Sequence, residues 1–382
     1  MMPLSLYIHF PWCAKKCPYC DFNSHEIKGD IPEGQYIDAL LSDLDQDLIT
    51  IKNQPLVSIF MGGGTPSLFS PEAIHRLLGG IRSRLDFADD IEITMEVNPA
   101  TVQKGLVGDR ERFAGYYAAG ITRLSIGVQS LNDTHLNLLG RVHSGSDAIN
   151  AITAAKQAGF TNFNIDLMHG LSKQNLQNAL ADLKAAIALE PTHISWYQLT
   201  IEPNTVFYNR PPTLPDDDTL WEIYQTGLNQ LASQGFHRYE ISAFSRPGKQ
   251  SVHNQNYWQF GDYIGIGAGA HGKYTHNSVV TRRAKTRQPE HYLASSRQAG
   301  GANFKDTIVD QGELPIEFLM NALRLTDGFN QALYEMRTGL PLSTLQAFLN
   351  RTQPLGLIEE RNGWIKPTNK GAQFLNSMLE MV

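Results

Sequence analysis

Three cysteines lie within eight residues of one another, at Cys13, Cys17 and Cys20, and the chain has no others. An odd, clustered set is not a disulfide framework. Thiolates at a CxxxCxxC spacing can bind zinc or an iron–sulfur cluster. A structural zinc site needs four protein ligands, so it would also need a histidine such as His9 or His25. A cubane [4Fe–4S] cluster on three thiolates instead leaves one iron open to a small molecule, and the sequence favours this interpretation.

The elements that must hold this loop are predicted from the alternation of short apolar runs with amphipathic segments along residues 1–205. The runs predicted as strands are Leu6–Phe10, Val57–Met61, Ile91–Val97, Arg123–Val128, Phe163–Met168 and His193–Leu199. This alternation predicts an α/β fold with a parallel sheet, either a partial (β/α)6 TIM-like barrel or an open sheet. The chemistry is then expected at the C-terminal ends of the strands.

Several polar residues and glycines follow these predicted strands. The glycines Gly62–Gly64 would let backbone approach a ligand closely, and the absence of a GK[ST] sequence excludes a phosphate-binding P-loop. Glu96 ends a strand, where a carboxylate can accept hydrogen bonds from ribose hydroxyls. The ends of two further predicted strands carry Gln129 and Asp166. Together these residues predict one binding site at the strand ends.

The remaining chain predicts three parts: a barrel over residues 1–245, a connecting region over 246–312 and a small domain over 313–382. Helices followed by a hairpin, Leu357–Glu360 and Trp364–Thr368, predict a winged-helix-like α+β module at the end. Such modules often bind DNA, but residues 331–382 hold five Lys or Arg and four Asp or Glu. A structural or partner-docking role is therefore favoured over nucleic-acid binding.

Two further segments of the connecting region carry chemistry. In His253-Asn-Gln-Asn-Tyr-Trp258 the histidine can ligate haem iron, while Tyr257 and Trp258 can cover an apolar macrocycle, although such a histidine is more often structural. The basic run over 282–287 is interpreted as an exposed loop face, and haem propionates, an acidic partner or anionic lipid are alternative contacts. The basic residues of this run are Arg282, Arg283, Lys285 and Arg287.

Composition bounds the class of protein. The chain has 382 residues, of which 42% are hydrophobic, and this content is typical of a globular protein. Its net charge of −6 is unfavourable for wrapping nucleic acid. No apolar run reaches a membrane span, and the N-terminus lacks a basic signal-peptide region, so a cytoplasmic location is expected. The sequence leaves open whether the protein forms a homodimer and whether it associates peripherally with the inner membrane surface.

The cysteine spacing after the first strand resembles that of the radical S-adenosylmethionine (SAM) superfamily. Further segments are similar to its oxygen-independent coproporphyrinogen III oxidase group: Leu6-Tyr-Ile-His-Phe-Pro-Trp-Cys13, Gly62-Gly-Gly-Thr-Pro-Ser67, Ser125-Ile-Gly-Val-Gln-Ser130 and Asn164-Ile-Asp-Leu-Met-His-Gly170. The resemblance covers nearly the whole chain, including the C-terminal domain. It implies a three-quarter barrel and a [4Fe–4S] cluster whose open iron binds SAM.

Carried over residue by residue, the resemblance also implies a SAM site. The residues that match family SAM contacts are Tyr7, Tyr19, Gly63, Gly64, Thr65, Glu96, Gln129, Arg141 and Asp166. The glycines and Thr65 would contact the methionyl part of SAM, and Tyr7 and Tyr19 would lie beside it.

Two features separate this chain from the oxidase. The oxidase loop resembles CxxxCxxCxC, and Phe22 stands at its last position here. The HNxxYW segment resembles a haem-chaperone branch of the group. That branch implies a carrier that binds haem through His253, with Tyr257 and Trp258, and passes it to haem proteins, respiratory enzymes at the membrane among them. The alternative is the oxidase reaction, in which a deoxyadenosyl radical initiates the loss of two propionate carboxyls. His271 is the next candidate for a haem ligand.

Overall fold

The computed structural model of the chain describes residues 3–51, 54–102, 105–296 and 304–382. The strands are, in chain order, β1 Leu4–Phe10, β2 Trp12–Cys13, β3 His25–Glu26, β4 Leu56–Gly63, β5 Phe87–Val97, β6 Arg123–Gln129, β7 Phe163–His169, β8 His193–Gln198, β9 His237–Arg238, β10 Ala243–Ser245, β11 Asp262–Ile266, β12 His271–His276, β13 Val279–Lys285, β14 Phe304–Ile308, β15 Phe329–Asn330, β16 Ile358–Arg361 and β17 Trp364–Pro367.

The α-helices alternate with the strands through the first half of the chain. They are α1 Glu33–Asp47, α2 Pro71–Arg82, α3 Gly105–Ala119, α4 Asp133–Leu138, α5 Gly145–Gln157, α6 Leu176–Ala188, α7 Val206–Asn209, α8 Asp217–Ser233, α9 Val252–Trp258, α10 Pro289–Ser296, α11 Leu314–Ala322, α12 Gln331–Thr338, α13 Gln346–Thr352, α14 Asn369–Gln373 and α15 Leu375–Leu379. None of the helices among the described residues is both long and apolar enough to cross a membrane.

One large sheet forms the barrel, with its strands in the order β14-β13-β12-β11-β1-β4-β5-β6-β7-β8-β10-β9. The six predicted strands are all present and lie side by side in parallel as β1, β4, β5, β6, β7 and β8. Their alternating faces bury one continuous apolar core against the flanking helices. The sheet ends at β14 and β9 and does not close, so the partial TIM-like barrel is confirmed.

Part of the predicted connecting region adds strands to this sheet. Strand β11 pairs in parallel with β1, and β12, β13 and β14 follow in antiparallel order. The interpretation of the basic run as an exposed loop face is wrong, because Arg282, Arg283 and Lys285 lie on β13, with Arg283 and Lys285 buried. Only Arg287 of this run lies beyond the strand. Residues 297–303 of the predicted region lie outside the described residues.

Buried ion pairs fasten this extension to the barrel. The Lys285 ammonium donates to Asp43 Oδ1 at 2.5 Å and to Asp47 Oδ1 at 2.7 Å, and both carboxylates lie on α1. Arg283 donates to Asp47 at 2.6 Å and to Asp306 on β14 at 2.7 Å. Lys285, Arg283, Asp43 and Asp47 are buried and need such mutual pairing, because burial removes the hydration of their charges. Strands β13 and β14 are therefore held against α1 and against each other.

The C-terminal residues form a separate core around Phe318, Phe329 and Tyr334. Helices α11 to α13 precede the β16–β17 hairpin, which joins β15 in a three-stranded antiparallel sheet. This helix-then-hairpin order confirms the predicted winged-helix-like α+β module. The predicted boundaries at residues 245 and 312 stay predictions.

Candidate functional site

The cysteine loop leaves the end of β1 and returns beside it. Cys13, Cys17 and Cys20 are each half-buried. The Thr65 hydroxyl donates to Cys13 Sγ at 3.5 Å, and the Arg141 guanidinium donates to Cys17 Sγ at 3.5 Å. Burial raises the pKa of the Cys13 and Cys20 thiols. The loop thus brings three thiol-bearing residues to the wall of one cavity.

His9, one of the two histidines that could complete a zinc site, is already engaged. His9 Nδ1 is bonded to the Tyr7 hydroxyl at 3.0 Å, and its Nε2 is bonded to the Asn23 carbonyl oxygen at 2.8 Å. With both ring nitrogens in hydrogen bonds, His9 has no lone pair left for a metal. Without His9, the three thiols that line one cavity fit a [4Fe–4S] cluster with one open iron.

The glycine segment at the end of β4 packs directly on this loop. Gly64 N donates to the Phe10 carbonyl oxygen at 2.6 Å. Gly63 has φ +104°, and a Cβ there would come within 2.3 Å of the His9 ring. Only glycine combines this backbone conformation with this approach. The glycines therefore let β4 pack closely on β1, and Gly63 and Gly64 line the same cavity as the three cysteines.

Two carboxylates face the same cavity from β5 and β7, the two strands that flank β6. Glu96 ends β5 and accepts a hydrogen bond from Gly63 N at 3.2 Å. Asp166 on β7 accepts from the Ser125 hydroxyl at 3.0 Å and from the Asn164 amide at 2.8 Å. Desolvation, with the charge of Asp166 second, raises the pKa of Glu96 to about 8. Glu96 is therefore mostly protonated at neutral pH until a ligand favours its carboxylate.

The smaller of two cavities at the strand ends has a volume of about 350 Å³. Eight of the nine predicted SAM residues line it, and they are Tyr19, Gly63, Gly64, Thr65, Glu96, Gln129, Arg141 and Asp166. Gln129 has φ 68°, a strained conformation for a non-glycine residue, at a bulge that turns it from the sheet. Arg141 also donates to the Gly127 carbonyl oxygen at 2.8 Å, which fixes its guanidinium in the cavity wall.

A second cavity of about 980 Å³ adjoins the first. Tyr7, the ninth predicted SAM residue, lines this larger cavity and not the smaller one. The larger cavity also contains the three predicted haem residues, His253, Tyr257 and Trp258. Phe22, Phe60, Tyr263 and Phe304 add further aromatic surface to its walls, which suits a large ligand with apolar faces.

Helix α9, which carries these haem candidates, is anchored at both ends. Glu92 on β5 accepts hydrogen bonds from Val252 N at 3.0 Å and from the Ser251 hydroxyl at 3.3 Å, so a carboxylate lies at the helix N-terminus. The Asn256 amide donates to Ser5 Oγ at 2.9 Å and to the Asp262 carbonyl oxygen at 3.0 Å. The helix is therefore fixed relative to β1 and β11.

His253 is 8% exposed and lies beside Phe60 and Tyr7. Its Nδ1 is 3.1 Å from Ser58 Oγ, and the Ser58 hydroxyl itself donates to Ser5 Oγ at 2.7 Å. Because the Ser58 hydroxyl donates its proton to Ser5, it accepts a hydrogen bond from His253. The imidazole proton is therefore assigned to Nδ1, and Nε2 carries the free lone pair. Desolvation lowers the pKa of His253 to about 3, so the ring is neutral, as a metal-ligating imidazole must be.

The two cavities share part of their walls. Phe22, Gly63 and Glu96 line both, and the Phe22 side chain is 57% exposed. Sequence reasoning missed other lining residues, Tyr197 and Lys305 among them. Tyr197 on β8 faces the smaller cavity, and its place near a strand end is the signal that selected the other residues. Lys305 on β14 faces the larger cavity, and no motif marks it.

Comparisons with known proteins agree with this arrangement. Residues 7–184 match the model of the radical SAM superfamily, and residues 309–374 match that of the HemN C-terminal domain. The heme chaperone HemW of Haemophilus influenzae is 49% identical over 99% of this chain and 97% of its own length. That of Escherichia coli is 47% identical over 99% of this chain and 98% of its own. This chain belongs to the HemW family.

A solved structure supports the fold of this HemW family member. Coproporphyrinogen III oxidase (HemN) from Escherichia coli, a radical SAM enzyme, superimposes with a TM-score of 0.82 over 100% of this chain and 90% of that one. The two are 24% identical in sequence, so the likeness concerns the fold alone. The family models and the HemW relatives confirm the resemblances drawn from the motifs, to the radical SAM superfamily and to its haem-chaperone branch.

Proposed function

We propose that this protein is a haem chaperone that binds haem in the larger cavity and transfers it to haem proteins. The observation that carries the proposal is the placement of a neutral His253, with its lone pair on Nε2, in the wall of a cavity of about 980 Å³. A volume of this size is at the upper end of the range for small-molecule and cofactor sites. The names of the HemW relatives agree with this assignment.

The aromatic residues of α9 suit a planar macrocycle. Tyr257 and Trp258 meet edge to face, with ring centroids 4.9 Å apart, and Tyr257 also lies 5.2 Å from Tyr263. Their rings offer apolar area with little side-chain entropy to lose on binding. We infer that they cover the bound haem and keep water from the bond between His253 and iron.

The cofactor site is part of the same proposal. Cys13, Cys17 and Cys20 would hold the [4Fe–4S] cluster, and the polar residues of the smaller cavity would hold SAM. When bound, the cluster supplies one-electron chemistry to SAM at the open iron. The chain's own residues orient the ligand: Glu96 accepts ribose hydroxyl hydrogen bonds, and Arg141 is placed to hold Cys17 and a ligand carboxylate.

The test is to offer cluster-loaded protein both haem and coproporphyrinogen III. Retention of haem without formation of protoporphyrinogen supports the chaperone, and turnover supports the oxidase. His253→Ala is expected to change the haem absorption spectrum and to lower haem affinity at least tenfold, because the axial bond is lost. His271→Ala is the matched control, since His271 lines the same cavity but is exposed.

Folding must be intact for either result to count. Circular dichroism and iron content of both variants should equal those of the wild type. An unaltered haem spectrum in a folded His253→Ala protein would remove His253 as the ligand. Loss of the spectrum in His271→Ala alone would assign the ligand to His271 instead.

A further inference from the structure

The walls of the larger cavity are not uniformly apolar. Three cationic side chains, Lys285, Arg287 and Lys305, line it together with the imidazoles of His9, His253 and His271. Among the described residues that line the cavity, Glu96 is the one carboxyl group. Its raised pKa of about 8 leaves it mostly neutral at pH 7. The cavity is therefore positive, although the protein as a whole carries a net charge of −6.

The cations differ in whether they are already paired. Lys285 is fully buried, and its ammonium is held by Asp43 and Asp47. Arg287 and Lys305 are exposed, and neither has a carboxylate partner within 4.0 Å among the described residues. The other basic residues of β13 are also paired, Arg282 with Glu317 and Arg283 with Asp47 and Asp306. Two cations in the cavity wall thus remain available to a ligand.

The backbone around these two cations is fixed. The Asn23 amide donates to the Arg287 carbonyl oxygen at 2.9 Å and to the Ala268 carbonyl oxygen at 3.0 Å, which ties the end of β13 to the cysteine loop. Lys305 lies opposite Ala284 in the β13–β14 ladder, and Ala284 lines the same cavity. The ion pair between Arg283 and Asp306 joins the two strands beside it. The cations are therefore carried by anchored backbone at one part of the wall.

We propose that Arg287 and Lys305 bind the carboxylates of a dianionic macrocycle in this cavity, and so select a haem with free propionates. This inference rests on the proposed haem function. A ligand that fits the aromatic wall of α9 and also neutralises two unpaired cations must be apolar over its faces and anionic at its edge. Haem with its two propionates has that distribution of charge. The guanidinium of Arg287 can bind a carboxylate through two hydrogen bonds, whereas Lys305 offers a point charge.

The experiment compares two probes, haem and its dimethyl ester, in which both propionates are neutral. Each is titrated into cluster-loaded wild-type protein and into the double variant Arg287→Gln/Lys305→Gln. The largest effects measured for solvent-exposed charge pairs correspond to about a fivefold change in affinity, and we expect this value for each cation. The double variant is expected to bind haem about 25-fold more weakly if the two effects add, with unchanged affinity for the ester.

Arg210→Gln is the matched control, since Arg210 is also an exposed arginine with no ion pair among the described residues but lies outside the cavity. It should leave both affinities unchanged. The haem spectrum of the double variant should match that of the wild type, because His253 is untouched. Equal loss of affinity for haem and ester in the double variant, or no loss for either, overturns the inference.

The two probes distinguish a failure of the propionate contact from a failure of the proposed haem function. If wild-type protein binds haem and its ester equally well, with a spectrum that depends on His253, the chaperone proposal stands and the propionate contact is refuted. If wild-type protein binds neither probe, both are refuted. A weakening of haem binding by added salt in the wild type, absent in the double variant, would add independent support.

Discussion

Replacement of Lys285 by Met tests whether the strand extension is held on the barrel by buried charge. Lys285 and Asp43 are both 0% exposed and Asp47 is 1% exposed, with ammonium-to-carboxylate distances of 2.5 and 2.7 Å. Methionine has a similar volume, so the change removes the charge and adds little strain. Breaking a buried pair by removing one partner costs about 3–5 kcal/mol, because an uncompensated charge is left behind.

The remaining partners place the expected loss at the lower end of that range. Arg283 still donates to Asp47 at 2.6 Å, and the Tyr292 hydroxyl still donates to Asp43 at 2.7 Å. We therefore expect Lys285→Met to lower the free energy of unfolding by about 3 kcal/mol at pH 8.

The loss should depend on pH. Burial raises the pKa of Asp47, and the charge of Lys285 opposes that rise, so the pKa increases further in the variant. A carboxyl whose folded pKa is raised costs no stability below its unfolded pKa and costs most above its folded pKa. The difference between variant and wild type should therefore be smaller at pH 5.5 than at pH 8.

Urea denaturation followed by circular dichroism measures this loss at both pH values. Lys156→Met is the matched control, since Lys156 lies 2.8 Å from Glu190 but the side chains are 40% and 79% exposed. It should leave the free energy of unfolding nearly unchanged, because exposed pairs are screened by water. The reasoning is refuted if Lys285→Met costs no more than Lys156→Met at pH 8, or costs more at pH 5.5 than at pH 8.

Two further predictions concern the cofactor site. Anaerobic reconstitution should give about four iron atoms per chain. Single changes of Cys13, Cys17 or Cys20 to Ser should strongly reduce that number. Full iron loading of the triple variant would contradict a cluster on these thiols. Glu96→Gln should weaken SAM binding by about 1–3 kcal/mol at pH 8.5, since ribose hydroxyls lose a carboxylate acceptor. Because the pKa of Glu96 is about 8, the fraction of ionised Glu96 rises between pH 6 and pH 8. The ratio of wild-type to variant SAM affinity, measured by calorimetry, should therefore grow over this range. A constant ratio would count against an ionised Glu96 as the acceptor.

The six parallel strands could be predicted from the sequence because each is a short apolar run with a clear stop. The structure extends five of them by a few residues at most and ends the sixth at Gln198, one residue before the predicted end. The strands of the extension could not, because β13 reads Val-Val-Thr-Arg-Arg-Ala-Lys and looks like an exposed segment. Its Lys285 is buried only because Asp43 and Asp47 lie opposite it, about 240 residues away in the chain. A single sequence does not reveal such a pairing.

The site likewise has one part that the sequence predicts and one part that depends on long-range pairing. The cysteine loop, Gly63, Glu96 and Asp166 could be predicted because parallel strands bring their C-terminal ends to one edge. The larger cavity could not, since one of its walls is built from β13 and β14, whose place in the sheet has no local signal. Tyr7 illustrates the limit: its strand was predicted, but the side chain faces the larger cavity, beside His253.

Strand β1 lies between β4 and β11, and this position explains why two cavities share one wall. The neighbours on one side, β4 to β8, carry the glycines and carboxylates of the smaller cavity. The neighbours on the other side, β11 to β14, form the larger cavity without altering the parallel strands. Glu96 and Phe22 touch both cavities, so a ligand in either one removes water from the surroundings of the same side chains. Any coupling this produces between the two sites must act equally in both directions. Under the proposed function, the barrel would provide the cofactor site, whereas the capacity for a large anionic cargo would depend on Arg287 and Lys305 of the extension and on His253 in the helix that precedes it.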